Sequence, residues 1–169
     1  MFEDRLRNIL LRASRNTIAQ KMIYDDRSEI QLATLHPEVA KVARAFLGAA
    51  KGIAAKAGCD VRVISGTRSY MEQDALYSKG RTTAGKKVTN APAGFSNHNF
   101  GLAWDIGIFR GKEYCDEHPL YRELGVLGRS LGLEWGGDWK FYDAPHFQKT
   151  MGQTIRGMLA KHQAGKVDK

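Results

Sequence analysis

The stretch GLAWDIGI, residues 101–108, constrains the fold of this chain more than any other. In an extended strand alternate side chains share a face. Leu102, Trp104, Ile106 and Ile108 therefore fall on one side, and Gly101, Ala103, Asp105 and Gly107 on the other. The first face must cover a core. The second holds one carboxylate among side chains too small to bury it, an arrangement suited to something bulky and charged approaching Asp105. Gly101 lets the backbone turn between loop and strand, which brings His98 round to the side of Asp105.

Short-range signals place the neighbouring elements. Pro37, the stripe Val39, Val42, Ala43, Phe46, Leu47, Ile53 and Ala54, and the stop at Gly58 predict a helix over 37–57. CDVRVIS alternates as a short strand. Ser69 and Glu72 then form a capping box, which predicts a helix from about Tyr70 to Ser78 closing at Gly80. Arg68 falls on the strand-to-helix turn, where side chains converge on a cleft.

Residues 80–97 show no period, and a structureless stretch of that length is usually functional or disordered. Pro119 with Leu120, Leu124, Leu127 and Leu131 predicts a third helix ending at Gly132, and LEWGGDWKFYDAPHFQ reads as two short strands joined by a Gly-Gly turn. The expected class is α+β, a small antiparallel sheet with helices packed on one side.

The 169 residues, 43% of them hydrophobic, suit one compact domain. No apolar run approaches the roughly 20 residues of a membrane span. Glu3 and Asp4 stand where a signal peptide carries positive charge, so synthesis in the cytoplasm is expected. Cys59 and Cys115 lie in no metal-binding spacing and are expected to be structural.

The net charge of +8 sits at the ends: five basic and two acidic residues in 1–24, five and one in 149–169, and near balance between. That layout argues against a nucleic-acid-binding face on the folded body. Within the first end, Phe2, Leu6, Ile9, Leu10 and Ala13 recur at helical spacing. Residues 2–22 thus read as a cationic amphipathic helix, which either packs on the core or lies on an anionic envelope.

A partner for His98 and Asp105 is expected in DAPHF, where Pro145 biases Ala144 toward extended geometry and holds Asp143 and His146 in a defined, non-helical relation. Two histidines and an aspartate supply three zinc ligands and leave a fourth position for water or substrate. Asp143 is then the uncoordinated carboxylate beside that water. On spacing alone these segments form no self-sufficient motif, so ordinary hydrogen-bonded residues remain the alternative. Glu134 is a rival base. His36, His118 and His162 read as surface or hydrogen-bonded residues, and Trp104, Trp135 and Trp139 as core and cleft wall.

SGTRSYMEQDALYSKGR, SNHNFGLAWDIGIF, EWGGDW and DAPHFQ, in that order, resemble the zinc peptidases of the D-alanyl-D-alanine carboxypeptidase and L-alanyl-D-glutamate endopeptidase family, which includes many phage endolysins. The resemblance covers about residues 25–150. It implies zinc ligands at His98, Asp105 and His146, and a general base at Asp143, where vancomycin-resistance-type relatives have a glutamate. It also implies that Arg68 binds substrate and stabilises the oxyanion.

The substrate implied is the peptidoglycan stem peptide, cut at the L-alanyl-D-glutamate bond by a monomeric endolysin. Such an enzyme waits in the cytoplasm of the producing cell and acts on the wall after release. Residues 1–24 become a helical extension, 25–150 the catalytic domain and 151–169 a basic tail, the two ends offering electrostatic attachment to the envelope. The alternatives are a D-alanyl-D-alanine carboxypeptidase, a non-catalytic zinc-bearing cell-wall binding domain and, on isoelectric point alone, a nucleic-acid binder.

Overall fold

The fold is taken from a computed structural model that describes residues 25–167. The amphipathic helix expected over 2–22 lies outside the described residues.

The first element, α1 (Asp26–Ala33), is one that hydrophobic periodicity does not reveal. Its cap is Asp25, which accepts from Ser28 N at 2.9 Å and from Ser28 Oγ at 2.6 Å. The same hydroxyl, fully buried, accepts from Val63 N at 2.9 Å, so one serine both closes the helix start and ties it to the sheet. The expected long helix follows as α2 (Pro37–Lys56). Val39, Ala43, Phe46, Leu47 and Ala54 of its stripe are buried, with Val42 and Ile53 packed at the edge. Phe46 lies with its ring 4.5 Å from Phe147 and 6.2 Å from Trp104, centroid to centroid, and so joins the helix to two strands. Truncating a core phenylalanine of this kind costs about 3–5 kcal/mol.

The strands are β1 (Asp60–Ser65), β2 (Ala103–Arg110), β3 (Glu113–Tyr114), β4 (Glu134–Trp135) and β5 (His146–Gln148). All pair antiparallel in the order β1-β2-β5-β4, with β3 folded back on the end of β2. The alternation read from residues 101–108 holds: Leu102, Trp104, Ile106 and Ile108 are in the core. Register puts Asp105 opposite Ser65 on one side and His146 on the other.

Two further helices match their sequence signals, α3 (Tyr70–Ser78) with its capping box and α4 (Leu120–Ser130) with Leu120 and Leu124 buried. Leu32, Phe46 and Leu124 carry α1, α2 and α4 into one core with the sheet, whereas α3 borders a cleft.

One segment is more structured than its sequence suggested, and one reading is corrected. The segment expected as a basic tail contains a helix, α5 (Ile155–Val167), in which Met158 is buried, Ile155 packs on the core and the His162 ring lies 5.0 Å from that of Tyr70, tilted by 44°. The connection between β4 and β5 is not a simple Gly-Gly turn. Gly136–Asp138 form a 3-10 turn, pinned where Arg129 meets Asp138 at 2.8 Å, and residues 139–145 follow as a loop. Gly136 O accepts from both Trp139 N and Asp143 N, which folds that loop back toward the sheet.

Candidate metal centre and catalytic cleft

His98 is set by a 3-10 turn, Asn97–Phe100, whose N-cap Ser96 accepts from His98 N at 3.3 Å. Gly101 ends the turn at φ 69°, and a Cβ there would lie 2.8 Å from His36 N, so both conformation and space require glycine. Two residues into β2 comes Asp105, and across the sheet His146 opens β5. A turn in which His146 N donates to Asp143 O at 3.2 Å precedes it, giving the two residues the fixed relation expected around Pro145.

Three donor atoms converge. His98 Nε2 and His146 Nδ1 each lie 3.2 Å from Asp105 Oδ1, and 3.3 Å from each other. Zinc bonds of about 2.0–2.2 Å at the tetrahedral angle place ligand atoms about 3.3–3.6 Å apart. The triangle is therefore one face of a tetrahedron and needs to open by only a few tenths of an ångström. The donor set, two imidazoles and a carboxylate, is that of a zinc site with an open fourth position.

The outer hydrogen bonds fix which nitrogen faces the centre. His98 Nδ1 lies 2.8 Å from Gly66 O, and a carbonyl only accepts, so Nδ1 carries the hydrogen and Nε2 the lone pair. His146 Nε2 lies 3.0 Å from Gln148 Oε1, which accepts its hydrogen and leaves the lone pair on Nδ1. Each ring thus bonds an outer partner through one nitrogen and turns the other toward the centre, the arrangement expected around a bound metal.

Arg68, on the strand-to-helix turn as read, bonds the other Asp105 oxygen, Oδ2. It also donates to Ser65 Oγ at 3.0 Å and to Gln73 Oε1 at 3.3 Å. One Asp105 oxygen is thereby committed to the guanidinium and the other faces the histidines. Burial opposes the charged form of Asp105, yet His98 and His146 hold its carboxyl well below the usual range. Burial also works against protonated His146, but Asp105 and then Gln148 raise its imidazole above its ordinary value. Asp143 differs: burial first, and then the Asp105 charge, push its carboxyl up, against the pull of His146, His98 and Arg68. Its carboxylate makes no hydrogen bond among the described residues.

These groups line one cleft of about 760 Å³, with Asp143, Arg68 and the three donors on its wall and Trp139 half-exposed at its side. The aperiodic stretch 80–97 supplies much of the opposite wall. Fully buried Gln73 orders it by donating to Ala91 O at 2.8 Å, and Gly94 N donates to Asn99 Oδ1 at 3.0 Å. Gly136 permits a close approach here, since a Cβ on it would meet Asp143 O at 2.5 Å and His146 Cβ at 3.0 Å.

Glu134, the rival base, is turned away. It accepts from Gln148 Nε2 at 2.9 Å and from Thr150 Oγ1 at 3.2 Å and does not line the cleft. His36 is exposed, His118 Nδ1 accepts from Leu120 N at 3.2 Å, and His162 packs against Tyr70, so none joins the cluster. Sequence reasoning missed Gln73 and Gln148; the second is next but one to His146 in β5 and thus on the same face, a signal that was available.

A small antiparallel sheet with a His-Asp-His triangle and a free carboxylate in an open cleft defines a metallopeptidase-type site. A family model described as D-alanyl-D-alanine carboxypeptidase matches residues 89–149. The peptidoglycan L-alanyl-D-glutamate endopeptidase CwlK of Bacillus subtilis is 41% identical over 125 residues, 68% of this chain and 72% of the relative. Among solved structures, the L-Ala D-Glu endopeptidase ChiX of Serratia marcescens superposes with a TM-score of 0.53 at 27% identity, over 80% of this chain and 92% of that one. The LD-carboxypeptidase LdcB shares the fold, with a TM-score of 0.51 at 19% identity over 82% and 70%. The chain belongs to this family of peptidoglycan-cleaving zinc peptidases.

Proposed function

We propose that the chain is an endopeptidase that hydrolyses the L-alanyl-D-glutamate bond of the peptidoglycan stem peptide. His98, Asp105 and His146 hold the zinc, Asp143 acts as general base and Arg68 as the substrate-side cation. The observation that carries this reading is the pairing of a 3.2–3.3 Å donor triangle with a carboxylate, Asp143, that shares the cleft and has no other bond to make among the described residues. A non-catalytic binding domain needs neither Asp143 nor Arg68 in that position. The choice of bond is supported by the 41% identity to CwlK and by the likeness to ChiX.

Zinc in such a site acts as a Lewis acid and makes hydroxide available near neutral pH. Asp143 takes the proton of the attacking water on a carboxylate oxygen and returns it to the leaving amine. Burial and the Asp105 charge raise its affinity for that proton, and a cation in the triangle draws it back down. Arg68 holds Asp105 through one oxygen. Its bonds to Asp105, Ser65 and Gln73 use three of five N–H groups, leaving donors for negative charge that develops on the substrate carbonyl.

Mass spectrometry of products from purified peptidoglycan tests the bond. A new amino-terminal D-glutamate supports the proposal, and loss of terminal D-alanine alone replaces it with a carboxypeptidase.

The same proposal includes a lysis role as a monomer that is held in the producing cell, reaches the wall after release and attaches through its basic ends. Expression alone should leave bacteria intact, whereas expression with a membrane-permeabilising peptide should lyse them. Deleting 1–24 should weaken sedimentation with anionic envelopes at low salt and leave turnover of a soluble stem peptide unchanged; unchanged sedimentation would remove the attachment. Lysis without permeabilisation would remove the release step.

A further inference from the structure

Resting on the reading that His146 is a zinc ligand, we propose that Glu134 and Gln148 are positioning residues that set zinc affinity by breaking a two-way degeneracy in the amide network behind that histidine. Gln148 Oε1 accepts from His146 Nε2 at 3.0 Å and from Asn97 Nδ2 at 2.7 Å. Both lone pairs of that oxygen are used, and at 7% exposure Gln148 has little water to turn to.

An amide can also rotate by half a turn. A reversed Gln148 would present its NH2 to His146 Nε2 and to Asn97, and a reversed Asn97 would meet it with Oδ1, an atom that is buried and has no partner among the described residues. Apart from the bond to Glu134, the reversed network is hydrogen-bonded as fully as the present one. Its consequence for His146 is opposite, because Nε2 becomes an acceptor and the hydrogen moves to Nδ1. That hydrogen then points into the triangle where a metal must bind.

Glu134 is the group that distinguishes the two directions. An ionised carboxylate accepts and never donates. Its Oε2 takes Gln148 Nε2 at 2.9 Å while Thr150 Oγ1 at 3.2 Å steadies Oε1, so the NH2 of Gln148 must face Glu134 and its carbonyl must face His146. The order runs from an exposed acid on β4, through one buried amide, to the lone pair that binds zinc.

The test uses the full chain and measures zinc affinity by chelator competition, apo-protein Tm, and the His146 tautomer by imidazole 15N NMR. Loss of an outer partner of a metal-bound histidine typically costs about 10–100-fold in metal affinity. Glu134→Ala should weaken zinc by about tenfold or more within that range, with apo Tm little changed because Glu134 is exposed, and should populate Nδ1–H in the apo protein. The double variant Glu134→Ala/Gln148→Glu should restore affinity to within about threefold of wild type, since a carboxylate at position 148 can only accept from His146. A merely structural role predicts no such rescue.

Glu134→Ala within about threefold of wild type, or a double variant as weak as the single one, would overturn the inference. His146→Ala separates the two readings. Stoichiometric zinc in that variant defeats the site assignment itself, whereas lost zinc there with full affinity in Glu134→Ala defeats only the network.

Discussion

Asp143→Asn isolates chemistry from coordination. The asparagine keeps the shape and the backbone bonds by which Asp143 N donates to Gly136 O at 3.0 Å and His146 N to Asp143 O at 3.2 Å. No side-chain hydrogen bond among the described residues is lost. The substitution also removes a charge whose burial, beside Asp105, is unfavourable enough to raise its pKa. The fold should therefore be unharmed, with Tm at or slightly above wild type. What disappears is the proton acceptor: general acid/base assistance is worth about 10²–10⁴-fold, or roughly 2.7–5.4 kcal/mol of barrier at 1.36 kcal/mol per tenfold. With a soluble stem peptide at saturating zinc, kcat should fall by that factor while zinc stays at one per chain. A variant that loses its zinc would make Asp143 a ligand. Near-normal kcat would pass the base role elsewhere, and a dead Glu134→Gln under the same saturating zinc would show where.

Alanine at His98, Asp105 or His146 should abolish stoichiometric zinc and activity together, checked by metal analysis alongside circular dichroism. Chelation should lower the wild-type Tm by roughly 5–11 °C from a metal concentration of about 100 Kd, from about 2.7 kcal/mol of linkage at about 2–4 °C per kcal/mol. Arg68→Lys keeps the charge but loses the fork between Asp105, Ser65 and Gln73, so both zinc affinity and kcat should drop; unchanged affinity would limit Arg68 to the substrate. Asp25→Ala should cost about 0.5–2 kcal/mol in urea unfolding at pH 7 through loss of the α1 cap. Burial raises the Asp25 pKa, but the Ser28 bonds and Lys51 lower it further, to a net value below the unfolded one. Its contribution is present above the unfolded pKa and should shrink as pH falls through the folded one, so a gap of equal size in strong acid would refute the account.

The parts of the fold that were legible in sequence are those with local causes. The two faces of β2, the Ser69–Glu72 box and the Pro37 start are set by neighbours within a few residues, and tertiary packing reinforced each. Helix α1 escaped notice because its cap works through Ser28, whose burial depends on Val63 in a strand 35 residues away. In α5 the signal was present, since Ile155, Met158, Leu159 and His162 share a helical face, but basic residues masked it. His98, Asp105, His146 and Asp143 were placed by motif resemblance as well as by spacing, and the structure brings them into one cleft. The network through Gln148 could not be read, because it requires the pairing of Glu134 with Gln148 across β4 and β5, a fact of register and not of composition.

That register also dates the site within the life of the chain. His98 and Asp105 are seven residues apart, but His98 and His146 are 48 apart, and β5 is three residues long between two other strands. During synthesis the ribosome therefore delivers two donors well before the third, and two donors from a half-built sheet are a poor trap for zinc. On the proposed ligand set the third donor arrives only with β5, which lies between β2 and β4, so a fragment cut before β5 should bind no stoichiometric zinc. On that assignment, tight zinc would mark a chain that has been both translated through β5 and folded around it.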